Sequence, residues 1–179
     1  SIFILSNSLR CFRNYVLQQC YEASVRSRFP QTPQTHRMGE DGRLDVVRTV
    51  MMSLVHDLAE AIVGDITPHC GVSDEEKYDK EDKAIQQIAS FLPVSSVGDE
   101  WVELWREYEG QQTLVAKVVK HLDKFDMVVQ AFDYERKYGL NLEQFFETTK
   151  TTFTMAPFIE WDRELRNRRH QFLKEISVK

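Results

Sequence analysis

Residues 43–64 read RLDVVRTVMMSLVHDLAEAIVG. Apolar side chains at Val47, Val50, Met51, Leu54, Leu58 and Ile62 recur at three- and four-residue intervals, which predicts one helix over 43–63. Gly64 offers a C-terminal stop, and Pro68 keeps the next residues out of a helix. Within this oily segment stand an imidazole and two carboxylates, His56, Asp57 and Glu60. Burying such groups costs free energy unless they find partners. Adjacent helical residues are about 100° apart, so His56 and Asp57 can lean toward one point. Glu60, four residues after His56, falls on the same face one turn later. A divalent cation would satisfy the nitrogen and oxygen donors and leave Glu60 to handle protons. A lone His-Asp dipeptide is more often a surface or hydrogen-bonded pair. Glu60, and Asp65 just beyond Gly64, tilt the reading toward a site.

The rest of the chain also reads as helices. Ser73 followed by Glu76 is a capping box that opens a helix over 74–91, closed by Pro93. Trp101, Leu104, Trp105 and Tyr108 predict a helix over 99–109 with Gly110 as its stop. Leu114, Val118, Leu122, Phe125, Val129 and Phe132 predict a long helix over 113–138, ended by Gly139. Asn141 caps a short helix to about 152, and a last helix covers 156–176. Residues 2–20 can form a helix, but Pro30, Pro33 and Gly39 break the stretch beyond it. Alternating β-branched runs do not occur. The expectation is an all-α bundle of six or seven helices forming a single domain over 1–179.

Net charge is −5, from 23 basic and 28 acidic residues. That disfavours a nucleic-acid polymer as partner, because phosphate backbones want a basic surface. A small anionic substrate stays compatible, since a bound metal can dominate the local field. Three cysteines (Cys11, Cys20 and Cys70) without zinc-ligand spacing suit a reducing, cytoplasmic setting. The apolar opening Ser1-Ile2-Phe3-Ile4-Leu5 is too short to span a membrane, and no other stretch approaches that length.

A second acid lies in the long helix. Asp123 stands between Leu122 and Phe125, and Asp is seldom buried unpaired. A solvated stripe or an ion pair with His121 or Lys124 would explain it. A metal shared with a neighbouring helix is the sharper explanation. His69 and Cys70 lack partners at ligand spacing and read as loop. Trp101, Trp105 and Tyr108, like Phe145, Phe146, Phe153 and Phe158, read as core or packing residues. Arg163, Arg166, Arg168 and Arg169 read as a solvated face balanced by Glu160 and Glu164.

The run His56-Asp57-Leu58-Ala59-Glu60-Ala61-Ile62-Val63-Gly64-Asp65-Ile66-Thr67-Pro68 resembles the signature of one branch of the HD-domain superfamily of metal phosphohydrolases. That branch is the 5'-deoxynucleotidases, the bacterial YfbR type and its eukaryotic counterparts. Glu75-Glu76-Lys77, the stretch from Glu81 to Ile85, and Leu122-Asp123-Lys124-Phe125-Asp126-Met127 with Gln130-Ala131 and Tyr134-Glu135 fit the same pattern. The likeness covers roughly 43–150. It implies His56, Asp57 and Asp123 as ligands of one divalent ion (Mn, Co, Fe, Zn or Mg) and Glu60 and Asp65 as acid-base carboxylates. It also implies a deoxynucleoside 5'-monophosphate as substrate and a homodimer.

The fourth ligand in that family is an upstream His, and His36 is the candidate. Here Arg37 follows His36 directly, where the family places two residues between them. To reach a metal at His56, residues 36–43 must run nearly extended, which spans roughly 23 Å at ~3.3 Å per residue. Otherwise the chain lacks a segment near His36, which the Arg37-Met38 pair favours as the end of an interrupted motif. The family's Arg-Gly-Trp substrate segment has no counterpart before Pro30, and Arg26 and Arg28 read as surface residues. The leading expectation is a metal-dependent 5'-deoxynucleotidase. Two others stay open: an HD-type phosphodiesterase or pyrophosphohydrolase acting on another nucleotide, and a non-catalytic nucleotide-binding module.

Overall fold

A computed structural model describes residues 44–66 and 70–177. The proposed ligand His36, the N-terminal helix over 2–20, and His69 lie outside the described residues. Among the described residues there are seven helices and no strand. They are α1 (Val46–Val55), α2 (Glu60–Val63), α3 (Asp74–Ser90), α4 (Ser95–Gly110), α5 (Leu114–Tyr138), α6 (Glu143–Thr148) and α7 (Ala156–Ser177). None is long and apolar enough to cross a membrane.

The helix expected over 43–63 is interrupted. It ends as α1 at Val55, passes through a turn over 56–59, and resumes as α2. Across the break the hydrogen bonds shorten to three-residue spans: Leu58 N to Val55 O (3.0 Å), Glu60 N to Asp57 O (3.1 Å), Ala61 N to Leu58 O (3.1 Å) and Ile62 N to Ala59 O (3.0 Å). This tighter winding turns about 120° per residue, so residues three apart eclipse one another. Glu60 is therefore brought over Asp57, rather than over His56 as a regular helix would have it.

Local chemistry sets the other boundaries. The side chain of Asp45 accepts from Arg48 N (2.9 Å) and caps α1. Ser73 accepts from Glu76 N (3.2 Å) and caps α3, whose first turn carries Asp74, Glu75 and Glu76 at the positive end of the helix dipole. Thr113 caps α5 by accepting from Ala116 N (3.1 Å). Helix α4 starts four residues earlier than expected and keeps Gly110 within it; Gln111, at φ 49°, takes the left-handed position. The short helix expected to 152 stops at Thr148 and continues as turn.

Two apolar clusters share α5 as their common wall. Met52 and Val55 of α1, Ala84 and Ile85 of α3, Leu104 and Trp105 of α4, and Val115, Ala116 and Val119 of α5 form one. Phe125, Val128 and Phe132 of α5, Phe146 of α6 and Phe158 of α7 form the other. The aromatic residues assigned to packing fall here, Trp105 and Phe146 almost fully buried. Arg48 binds Glu107 through Nε (2.8 Å) and Nη2, and Thr113 Oγ1 donates to Glu107 Oε1 (2.6 Å), tying α1 to the α4–α5 junction.

The arginines of α7 do not form one solvated face. Arg169 is buried, pairs with Glu135 through Nε (2.6 Å) and Nη2 (2.8 Å), reaches Glu143 (2.7 Å), and lies 3.9 Å above the Phe146 ring. Arg166 binds Asp162, the Phe146 carbonyl and Thr149. These bonds pin α6 between α5 and α7. Helical spacing alone could not reveal this, because the acids that answer Arg169 stand 34 and 26 residues away.

Helices α3 and α4 approach closely at Gly98, where an added Cβ would meet the Ala89 carbonyl oxygen at 2.7 Å. Gly98→Ala is expected to destabilise the fold by about 1–3 kcal/mol, the usual cost of overpacking. Urea unfolding followed by circular dichroism reads this as a lower midpoint with unchanged slope.

Candidate metal centre

The break between α1 and α2 aims His56 and Asp57 at α5. One ligand atom from each of His56, Asp57 and Asp123 lies within 4.8 Å of the others. The His56 side chain is 8% exposed. Its Nδ1–H donates to the Ser53 carbonyl (3.0 Å), which fixes the tautomer and turns Nε2 toward the acids. Nε2 is buried without a hydrogen-bond partner. It lies 3.1 Å from Asp57 Oδ2, but out of line for a hydrogen bond. Tyr108 packs edge-on against the ring at 4.8 Å and closes its other side. An orphaned imidazole nitrogen between two carboxylates suits a divalent cation, and the donor set of one nitrogen and two oxygens fits the same class of ion.

A cavity of about 640 Å³ opens from this point. His56, Asp57, Glu60, Asp65 and Asp123 all line it, so every described residue given a metal or acid-base role from the sequence faces one space. Gly64 (φ 78°, ψ 171°) takes a conformation reserved for glycine and turns the chain so that Asp65 remains on the cavity wall. Residues 36–159 match the HD domain family.

The chain belongs to the HD domain family.

Relatives of this HD domain include the 5'-deoxynucleotidase HDDC2 of Dictyostelium discoideum, 43% identical over 122 residues, covering 65% of this chain and 64% of the relative. The Mus musculus HDDC2 is 38% identical, covering 77% of this chain and 70% of its own. The 5'-deoxynucleotidase hdd1 of Schizosaccharomyces pombe is 38% identical over 156 residues, covering 80% and 78%. The chain thus spans about two-thirds to four-fifths of these relatives. Among solved structures, the HD domain-containing protein YGK1(YGL101W) superposes with a TM-score of 0.60 at 26% identity, over 76% of this chain and 72% of that one.

The electrostatics of the HD domain cavity are one-sided. Asp57, Glu60, Asp65, Asp123 and Asp126 line it, and among the described residues no lysine or arginine does. Burial opposes charge on His56, but the adjacent Asp57 carboxylate and the charge of Asp123 outweigh it and raise the imidazole pKa. Burial likewise disfavours the Asp57 carboxylate, yet His56, Lys124 and Lys120 leave its pKa lowered. Both shifts say that this corner of the HD domain wants positive charge. Burial, with the charges of Asp57, Asp65 and Glu81, pushes Glu60 up to about 7.

Several residues of this site carried no assigned role in the sequence reading. Ser53 orients His56 through its backbone, which no side-chain pattern signals. Tyr108 serves both core and site. Glu81 on α3 is 4% exposed, ion-pairs through Oε1 with Lys77 (3.6 Å), and lies close enough to contribute to the charge at Asp57 and Glu60. Asp126 lines the cavity one turn past Asp123 on α5. Its spacing, i+3 from a proposed ligand, was the available signal.

Proposed function

We propose that this HD domain is a metal-dependent 5'-deoxynucleotidase that hydrolyses deoxynucleoside 5'-monophosphates to deoxynucleoside and inorganic phosphate. One observation carries the reading: a buried, unpartnered imidazole nitrogen converges with two carboxylates in a cavity that is otherwise acidic. A dianionic phosphate would be repelled by such a lining unless a cation stood among the acids. The names of the relatives supply the substrate class.

His56, Asp57 and Asp123 hold the ion, with His36, outside the described residues, as the fourth donor. The ion's identity is one of Mn, Co, Fe, Zn or Mg. When bound, such an ion lowers the pKa of water and offsets phosphate charge. Glu60 takes the proton of the attacking water as the new oxygen–phosphorus bond forms. Asp65, also on the cavity wall, gives its proton to the 5'-oxygen as the phosphorus–oxygen bond breaks, and the proton taken up by Glu60 restores the balance. The Ser53 carbonyl, by accepting from Nδ1, leaves Nε2 of His56 free to serve as the nitrogen donor. We further propose a single domain over the chain, a homodimer, and a reducing cytoplasmic setting, the last from the three cysteines.

Purified protein, stripped with EDTA and resupplied with Mn²⁺, Co²⁺ or Mg²⁺, is expected to release phosphate from deoxynucleoside monophosphates and to stop when EDTA is restored. Turnover confined to cyclic or pyrophosphate-linked nucleotides overturns the substrate assignment. Metal binding without turnover of any nucleotide overturns the enzymatic reading.

A further inference from the structure

The His56 imidazole is anchored by a hydrogen bond at one end of its ring. Its Nδ1–H donates to the Ser53 carbonyl (3.0 Å), three residues back. One such bond leaves the ring plane free to swing, because the χ2 torsion of histidine is broad. Nε2 lies on the far side of the ring, so a small swing displaces it from the acids. The plane has to be held by a second contact, and Tyr108 makes it. The two rings meet edge-on, with centroids 4.8 Å apart and planes at 61°.

Tyr108 is itself well braced. It is 5% exposed and stands in the last turn of α4. Gln111, in the left-handed position, donates to the Tyr108 carbonyl from its backbone N–H (3.2 Å) and from its side-chain amide. The Lys120 ammonium of α5 stands 5.3 Å from the Tyr108 ring centroid. One residue earlier, Glu107 binds Arg48 of α1 and Thr113 at the start of α5. The end of α4 is thus fixed against the two helices whose residues converge on the proposed ion. Tyr108 does not line the cavity, so its effect on the site passes through His56.

We propose that Tyr108 is a positioning residue of the metal centre, whose ring holds the His56 imidazole with Nε2 toward Asp57 and Asp123. The inference rests on the metal-centre reading given above. Edge-to-face packing is directional, because it aligns the positive edge of one ring with the negative face of the other. An aliphatic side chain of similar bulk fills the space without fixing the plane. The aromatic ring is therefore required and the phenol hydroxyl is not.

The test combines Mn²⁺ calorimetry on the stripped full chain with NMR of the His56 ring. Tyr108→Leu is expected to weaken Mn²⁺ binding by about 10-fold, and Tyr108→Phe to stay within about twofold of the wild type, the scale on which groups that orient a metal ligand act. Tyr108→Met, whose flexible side chain refills the space most readily, is the second variant should the leucine protein not fold, with the same expectation. Gly98→Ala, which strains the α3–α4 contact without touching the imidazole, should keep wild-type affinity, so a weaker fold alone does not explain the loss. The Nδ1–H proton of His56 needs no ion to be seen. It should give a resolved signal in the wild type and in Tyr108→Phe and be lost to exchange in Tyr108→Leu. If Tyr108→Leu keeps both the signal and the affinity, or Tyr108→Phe loses them as fully as Tyr108→Leu, the inference is wrong while the metal-centre reading stands. If the wild type takes up no ion but the Nδ1–H signal follows the expected pattern, the metal-centre reading fails and the positioning of His56 by Tyr108 stands.

Discussion

Asp123→Ala is expected to reduce phosphate release from deoxynucleoside monophosphates by about 10³-fold while the protein stays folded. The loss reflects what an ion at this place would supply, several kcal/mol of stabilisation for charge developing on phosphate, with about 1.4 kcal/mol per tenfold in rate. Asp123 brings one of the two carboxylates within 4.8 Å of the His56 nitrogen, and it comes from a different helix, so nothing else in α1 can replace it. Its side chain is 29% exposed and lies on the cavity wall, so truncation opens no hole in either apolar cluster. Circular dichroism and the urea midpoint should be close to those of the wild type. Lys124→Ala removes the neighbouring ammonium, 3.3 Å from Asp123, and serves as the control. A partly exposed pair of that kind contributes about 0–1 kcal/mol, and the rate should change by only a few-fold. Equal activity in Asp123→Ala and the wild type would remove Asp123 from the site.

The second large effect is at Glu60. Glu60→Gln keeps the shape and removes the proton acceptor, and kcat is expected to drop by about 10²- to 10⁴-fold with little change in KM. The role sets the sign of the pH dependence. A base must be ionised, so wild-type kcat should rise with pH through the Glu60 pKa, and this limb should vanish in Glu60→Gln. Burial and the neighbouring acids push that pKa up to about 7 without an ion, and a bound cation moves it lower. Stability gives an independent readout. Glu60 is raised from its ordinary 4.5, so the folded metal-free protein holds this proton more tightly than the unfolded chain. Its stabilising contribution is complete below about 4.5 and is lost as pH climbs through about 7. Asp126, raised to about 6 chiefly by burial, acts in the same direction. Divalent metal should therefore raise the thermal midpoint more at pH 7.5 than at pH 5, because binding an ion displaces protons from this cluster. A kcat that falls with rising pH across the same window would assign Glu60 to the acid role instead.

Much of this architecture was legible in the chain. The start of α3 was marked by Ser73 and the end of α5 by Gly139, both of which act locally. The convergence of His56, Asp57 and Asp123 could be expected because each is a polar intrusion into an apolar helix pattern. The interruption at 56–59 could not be read this way. Apolar spacing through Leu58 and Ile62 looks the same whether the turn is regular or tightened, and the difference decides whether Glu60 stacks over His56 or Asp57. The ion pairs of Arg169 with Glu135 and Glu143 escaped for another reason, since partners so far apart in sequence meet only after the helices pack. Asp126 was visible as part of a motif, but its place in the cavity depends on the path of α5 beyond Asp123.

The most direct test is the metal content of the protein itself. Chelator-stripped wild type, titrated with Mn²⁺ and followed by calorimetry, is predicted to take up a single ion per chain, and His56→Ala should lose that uptake or weaken it by at least about 100-fold, as expected when a nitrogen donor with a fixed tautomer is removed. Mn²⁺ uptake of unchanged stoichiometry and affinity in His56→Ala would contradict the account.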